Sequence, residues 1–80
     1  MTLDLSTLYA ATNSAKLADL PAYESTVRAT VPPGTDVTIT GAGPVWLYLR
    51  LAHTLHGIAR SLTYHSPVTG PVVVFDHNPY

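Results

Sequence analysis

Eighty residues with a net charge of −1 and no cysteine define one small domain, expected over residues 1–80, and exclude disulfides or a thiolate metal site as supports. Four Lys and Arg against five Asp and Glu leave no basic stripe for a long nucleic acid, although a few placed donors serve a compact ligand carrying few phosphates. Hydrophobic residues make up 46% and charged residues 11%, little charge for the surface of so small a domain, so a homo-oligomer is expected to cover part of the apolar surface.

The chain opens Met1-Thr2-Leu3-Asp4, with no basic segment ahead of an apolar run, so no signal peptide is read. The longest apolar stretch, Val45 to Ala52, is interrupted by Arg50 and is too short to span a bilayer. The expectation is a cytoplasmic protein with no membrane partner. Thr2 to Tyr9 alternates loosely and predicts a strand. Asn13 or Ser14 can cap a helix over Ala15 to Leu20, with Pro21 either disturbing its continuation or beginning a second turn. Ala22 to Thr30 is ambiguous, and Pro32-Pro33-Gly34 is a clear break.

Beyond that break the signals sharpen. Thr35 to Thr40 alternates, with Val37 and Ile39 on one face, and predicts a strand. Gly41-Ala42-Gly43-Pro44 turns the chain into a helix from Pro44 to about His56, stopped by Gly57. Ile58 to Tyr64 predicts a strand, His65 to Gly70 a turn, and Val72 to Phe75 a buried strand. The fold class is therefore α/β: a central sheet with a parallel βαβ crossover and a C-terminal β-hairpin, in a ferredoxin-like or related two-layer arrangement.

Laid out at about 100° per residue, the helix carries Val45, Leu47, Tyr48, Leu49, Leu51, Ala52 and Leu55 on a broad apolar arc. Trp46, Arg50 and His53 fall together opposite it, and His56 follows His53 at i+3. Such a face offers a base-stacking plate, a phosphate partner and a titratable group; equally, Trp46 can pack at a subunit interface while Arg50 is merely solvated. Gly41, Ala42 and Gly43 let the backbone approach a phosphate while helix N–H groups point at it, though the pattern is short and also reads as a plain tight turn. The histidines His53, His56, His65 and His77 show no H-E-x-x-H spacing, which leaves a zinc protease unsupported. Imidazoles suit proton transfer to and from a ribose 2′-hydroxyl, with Arg50, Arg60 or a metal steadying charge. For His65 and His77 a surface role is the simpler reading.

The run from Ile39 through Gly41-Ala42-Gly43-Pro44-Val45-Trp46-Leu47, followed by Leu51-Ala52-His53 and His56, resembles the third family of CRISPR-associated ring nucleases. Tyr64, Val72-Val73-Val74 and Asp76-His77-Asn78-Pro79 continue the likeness, which covers about the second half of the chain. The resemblance implies a dimerising α/β subunit that sandwiches cyclic tetra-adenylate and opens its ring with manganese, so switching off effectors in antiviral defence. By position, Gly41, Gly43, Pro44 and Trp46 match its ligand-proximal turn, and His53 and His56 its helix histidines. The family usually places an acidic residue, Pro and Arg after the tyrosine, where this chain reads His65-Ser66-Pro67-Val68.

The expected function is binding and ring opening of cyclic tetra-adenylate in a homodimer or tetramer, with ligand contacts from Gly41, Ala42, Gly43, Pro44, Trp46 and Arg50. His53, His56 and His65 are the candidate catalytic residues, and His56 and His65 the candidate manganese ligands. A non-catalytic sponge for the messenger and a regulatory oligomer without nucleotide binding are the alternatives.

Overall fold

A computed structural model describes residues 1–77; the Asn78-Pro79 end of the family-like segment lies outside them. The elements run β1 (Thr2–Asp4), a 3-10 turn (Leu5–Tyr9), a second 3-10 turn (Leu17–Asp19), α1 (Leu20–Thr30), β2 (Asp36–Thr40), α2 (Val45–His56), β3 (Ser61–Ser66) and β4 (Gly70–Asp76). The strands lie in sequence order β1-β2-β3-β4. β1 and β2 pair in parallel, as do β2 and β3, and β3 pairs antiparallel with β4. The α/β class, the βαβ crossover, the C-terminal hairpin and the two-layer arrangement are as expected.

Two successive crossovers lay α1 and α2 side by side on one face of the sheet. Leu3, Val37, Ile39 and Leu62 from the strands meet Val27 from α1 and Leu47, Leu51 and Leu55 from α2 in one buried cluster. The period of 2 in β2 and of about 3.6 in α2 each point a single face at that cluster. The opposite face of the sheet carries Thr2, Thr38 and Thr63 side by side in register. Pairing of β3 with β4 shifts between Leu62 and Thr63, where Leu62 faces Phe75 and Thr63 faces Val73, so Val74 is the extra residue of a bulge.

The N-terminal third departs from the sequence reading. The strand expected to Tyr9 ends at Asp4, because its carboxylate accepts from the Ser6 amide (2.9 Å) and hydroxyl (2.7 Å), and its carbonyl accepts from Thr7 Oγ1 (2.7 Å). These local bonds give the backbone an alternative to a ladder. The helix expected over Ala15 to Leu20 instead begins at Leu20, with Pro21 in its first turn, where a missing N–H costs nothing. The ambiguous stretch Ala22 to Thr30 forms its body and buries Tyr23, Glu24 and Val27.

At the other end the boundaries shift less, but the strand expected to be buried at Val72 to Phe75 lies at the end of the strand order, with Val72, Val73 and Val74 exposed. The Ile58 and Ala59 amides both donate to the Leu55 carbonyl, at 2.9 and 2.8 Å, and prolong the exit of α2. β3 therefore starts at Ser61 and runs on through His65 and Ser66, which pair with Pro71 and Gly70. His65 is a strand residue, and the reversal is confined to residues 67–69.

Candidate functional site

The three parallel strands end at Asp4, Thr40 and Ser66, all at the same end of the sheet. In open α/β sheets the crevice beyond the carboxyl ends of the strands is where ligands bind. Gly41 to Pro44 lies there, between β2 and α2. Gly41 has φ +102°, and a Cβ on it would stand 2.2 Å from Asp4 Oδ1 and 3.1 Å from the Leu5 nitrogen. Glycine is required at this point by conformation and by space. A Cβ on Gly43 would stand 3.2 Å from the Tyr9 hydroxyl. Pro44, in extended conformation, caps α2 by accepting from the Leu47 amide at 3.1 Å.

An open cleft of about 610 Å³ occupies this end. Thr40, Gly41, Ala42, Gly43, Tyr48, Tyr64, His65 and Pro67 line it. It adjoins an apolar groove of about 360 Å³ between α2 and β4, floored by Leu62 and flanked by Val45, Leu49 and Val74. Gly43, Tyr48 and Tyr64 belong to both hollows. The two tyrosine rings meet edge to face, with centroids 5.1 Å apart, a favourable aromatic geometry. Burial, then the neighbouring Tyr64, Tyr9 and Asp4, pushes the Tyr48 hydroxyl above the ordinary phenol range. Tyr9 moves the same way by burial and then by the Asp4 and Tyr23 charges. Both hydroxyls stay protonated donors at neutral pH. Tyr48 donates to the Gly41 carbonyl and Tyr9 to the Ala42 carbonyl. The Asp4 carboxyl is held below its usual range by the Ser6 hydroxyl and amide.

Of the residues expected from sequence, Gly41, Ala42, Gly43 and His65 come together in the cleft, and Pro44 starts the helix beside it. The outward face expected of Trp46, Arg50 and His53 does not form a wall of it. Trp46 is half-buried and packs against the core. Arg50 turns to α1, where its guanidinium meets Glu24 Oε1 at 3.2 Å. The physical reason is Glu24 itself: its carboxylate is largely buried between the helices and takes both Arg50 and the Thr54 hydroxyl (2.8 Å). His53 is exposed, more than two turns beyond Pro44 along α2. His56 occupies the last residue of α2 and packs against the rings of Phe75 and His77, at centroid distances of 5.0 and 4.7 Å.

His56 and His65 therefore stand at opposite ends of the domain within one chain, His56 at the far end of a helix about 18 Å long. They do not fit a shared manganese site there, and among the described residues no group of three or more His, Cys, Asp or Glu could hold a metal ion. The sequence reading missed Tyr9, Tyr48 and Tyr64 as site residues. The available signal was the four-residue step from Pro44 to Tyr48, which sets that ring one helical turn above the bend.

Fold and site together define a two-layer α/β domain with an open cleft at the carboxyl ends of its parallel strands. The CRISPR-associated protein (Cas_csx3) family matches the chain over residues 13–80. The protein belongs to that family, which bears out the CRISPR association implied by the resemblance. No curated protein and no solved structure matches it. Among the described residues no helix is long and apolar enough to cross a membrane.

Proposed function

We propose that this domain binds cyclic tetra-adenylate, the second messenger of a CRISPR defence system, in the cleft at the strand ends, and that His65 promotes opening of its ring. The observation that carries the reading is the joined pair of hollows. A cleft edged by the Gly41 to Gly43 turn and His65 continues, past Tyr48 and Tyr64, into an apolar groove. A nucleotide unit has the same two parts, an anionic phosphodiester and a flat apolar base. With Arg50 committed to Glu24, the phosphate charge falls to main-chain N–H groups, as at other glycine turns.

Membership of the CRISPR-associated family supports the choice of ligand. The cleft is open to solvent, and exposed Val45 and Leu49 on α2 and Val72 to Val74 on β4 supply apolar surface that a second copy would cover. The working unit we propose is accordingly a homodimer or a tetramer enclosing the ligand. For ring opening, the His65 imidazole takes the proton of a ribose 2′-hydroxyl. O2′ then bonds to the adjacent phosphorus, the P–O5′ bond breaks, and O5′ takes up a proton. The products are a 2′,3′-cyclic phosphate and a 5′-hydroxyl. The amides of the turn steady the charge on the phosphoryl oxygens.

A second reading, sequestration without turnover, draws on the β3–β4 reversal. It carries neither acid nor cation, and Ser66 Oγ is occupied by the Val68 and Thr69 amides at 3.1 and 3.3 Å. Calorimetry with cyclic tetra-adenylate, and chromatography of the mixture with and without manganese, separate the readings. Stoichiometric binding with a linear product supports ring opening. Binding with the ring intact at high protein concentration supports sequestration. Absence of binding rejects both and leaves a regulatory oligomer.

A further inference from the structure

Ring opening has two proton transfers, and His65 accounts for one. O5′ leaves as a strongly basic alkoxide unless a second group protonates it while the P–O5′ bond breaks. The side-chain hydroxyls lining the cleft belong to Thr40, Tyr48 and Tyr64. Thr40 is an aliphatic alcohol, no more acidic than the alcohol it would form. Tyr48 directs its proton to the Gly41 carbonyl. The Tyr64 hydroxyl has no hydrogen-bond partner among the described residues.

Tyr64 lines the cleft and the apolar groove alike, its ring edge to face with Tyr48 at 5.1 Å. Burial, and next the Tyr64 charge, raise the Tyr48 hydroxyl, which itself rests on Gly41 of the cleft lining. The Tyr64 oxygen therefore stands towards the bend. Tyr64 and His65 are consecutive on β3, and consecutive strand residues leave opposite faces of a sheet. Both nonetheless line the cleft, which thus reaches round both faces of β3. In-line displacement puts the attacking O2′ and the leaving O5′ on opposite sides of phosphorus. A phosphodiester seated across this end of β3 has the imidazole at one oxygen and the phenol at the other.

We propose that Tyr64 is the general acid of ring opening, its hydroxyl supplying the proton that O5′ takes up. The inference rests on reading the cleft as the place where His65 opens the ring. His65 takes the 2′-hydroxyl proton and O2′ bonds to phosphorus. The P–O5′ electron pair stays with O5′, and the Tyr64 proton joins it. The imidazolium and phenolate left behind regain their starting forms by passing one proton through water. A phenol is a stronger acid than an alkanol, so the transfer to O5′ runs downhill.

The test is Tyr64→Phe, which keeps the ring beside Tyr48 and removes only the oxygen. Chromatography follows single-turnover opening of cyclic tetra-adenylate and of the same ring with sulfur in place of each O5′, whose thiolate leaves without a proton. The expected result is that the variant opens the oxygen ring about a hundredfold more slowly and the sulfur ring at the wild-type rate. His65→Ala slows both, since attack by O2′ is common to them. Tyr64→3-fluorotyrosine, which keeps the hydroxyl and makes it more acidic, alters the rate on the oxygen ring alone. A Tyr64→Phe variant that opens the oxygen ring as the wild type does, or a fluorotyrosine variant unchanged on it, overturns the acid role and leaves ring opening by His65 standing. A wild type that opens only the sulfur ring has no working acid, which overturns it too. A wild type that opens neither ring refutes ring opening and the acid role together.

Discussion

Replacing Gly41 with Ala should cost more than any other glycine substitution at a positive φ in the described chain, for reasons that can be separated. Gly34, Gly41 and Gly70 all have φ in the left-handed region, at 78°, 102° and 77°. At Gly34 and Gly70 nothing lies within 4 Å of an added Cβ, so only the conformational penalty applies, about 1–2 kcal/mol. At Gly41 the new methyl also displaces Asp4 Oδ1, 2.2 Å away. Asp4 can swing aside, but the same oxygen accepts both bonds from Ser6, and losing such a cap costs about 1 kcal/mol. The total is about 2–3 kcal/mol. For a domain of this size each kcal/mol lowers Tm by about 4–8 °C, so Gly41→Ala melts about 8–24 °C early and Gly34→Ala about 4–16 °C early. A double-mutant cycle gives the sharper number. In an Asp4→Ala background the cap is already gone, so Gly41→Ala should cost about 1 kcal/mol less than in the wild type. Urea unfolding of the four proteins measures this. Equal costs for Gly41→Ala in the two backgrounds would refute the contact between Asp4 and the bend.

Leu51→Ala removes a side chain with no exposed surface and should cost about 2–5 kcal/mol in urea unfolding; a cost below about 1 kcal/mol would mean that the two layers do not close on α2 as described. Arg50→Ala leaves the largely buried Glu24 carboxylate with the Thr54 hydroxyl alone and should cost about 1–2 kcal/mol. It should leave the affinity for cyclic tetra-adenylate unchanged by calorimetry, and a large loss would put Arg50 back in the ligand site. Asp36 is held down to about 2 by hydrogen bonds from Arg60 and then Ser61. Its folded pKa lies below the unfolded value near 3.8, so its contribution is complete above that value and fades as pH falls through about 2. Asp36→Asn should therefore flatten the acid limb of a melting profile in that window. Ser66→Asp with Val68→Arg restores the acid and arginine of the family pattern on a turn whose position 66 already accepts two amides. If those groups limit cleavage, chromatography shows faster ring opening; an unchanged product yield contradicts that.

The second half of the chain was legible because its punctuation is strong. Pro32-Pro33-Gly34 and Gly41 to Pro44 bracket a five-residue alternating strand, and Gly57 and Gly70 stand on either side of β3. The first half was not. Asp4 looks like an ordinary strand polar residue until its carboxylate folds the next three residues back, and Pro21 reads equally as a breaker or a first-turn residue. The orientation of α2 was also hidden. Apolar residues cover so much of its circumference that pattern cannot say where the buried centre lies. Leu47, Leu51, Thr54 and Leu55 turn out to be buried, leaving Val45 and Leu49 outside at 73% and 67% exposure. The direction Arg50 takes depends on a residue 26 positions away, Glu24, a pairing that is invisible to periodicity. Tyr9 escaped for the same reason, since Tyr9 and Ala42 are 33 residues apart in the chain.

The outer rim of β4 shapes how the protein behaves in the tube. Seven residues long, it is an edge strand of the four-stranded sheet among the described residues, has three consecutive valines in water and holds no lysine along its length. A folded molecule thus carries its own template for sheet growth. Val73→Lys would place a charge on that rim, as natural edge strands do, without touching the leucines that hold the layers together.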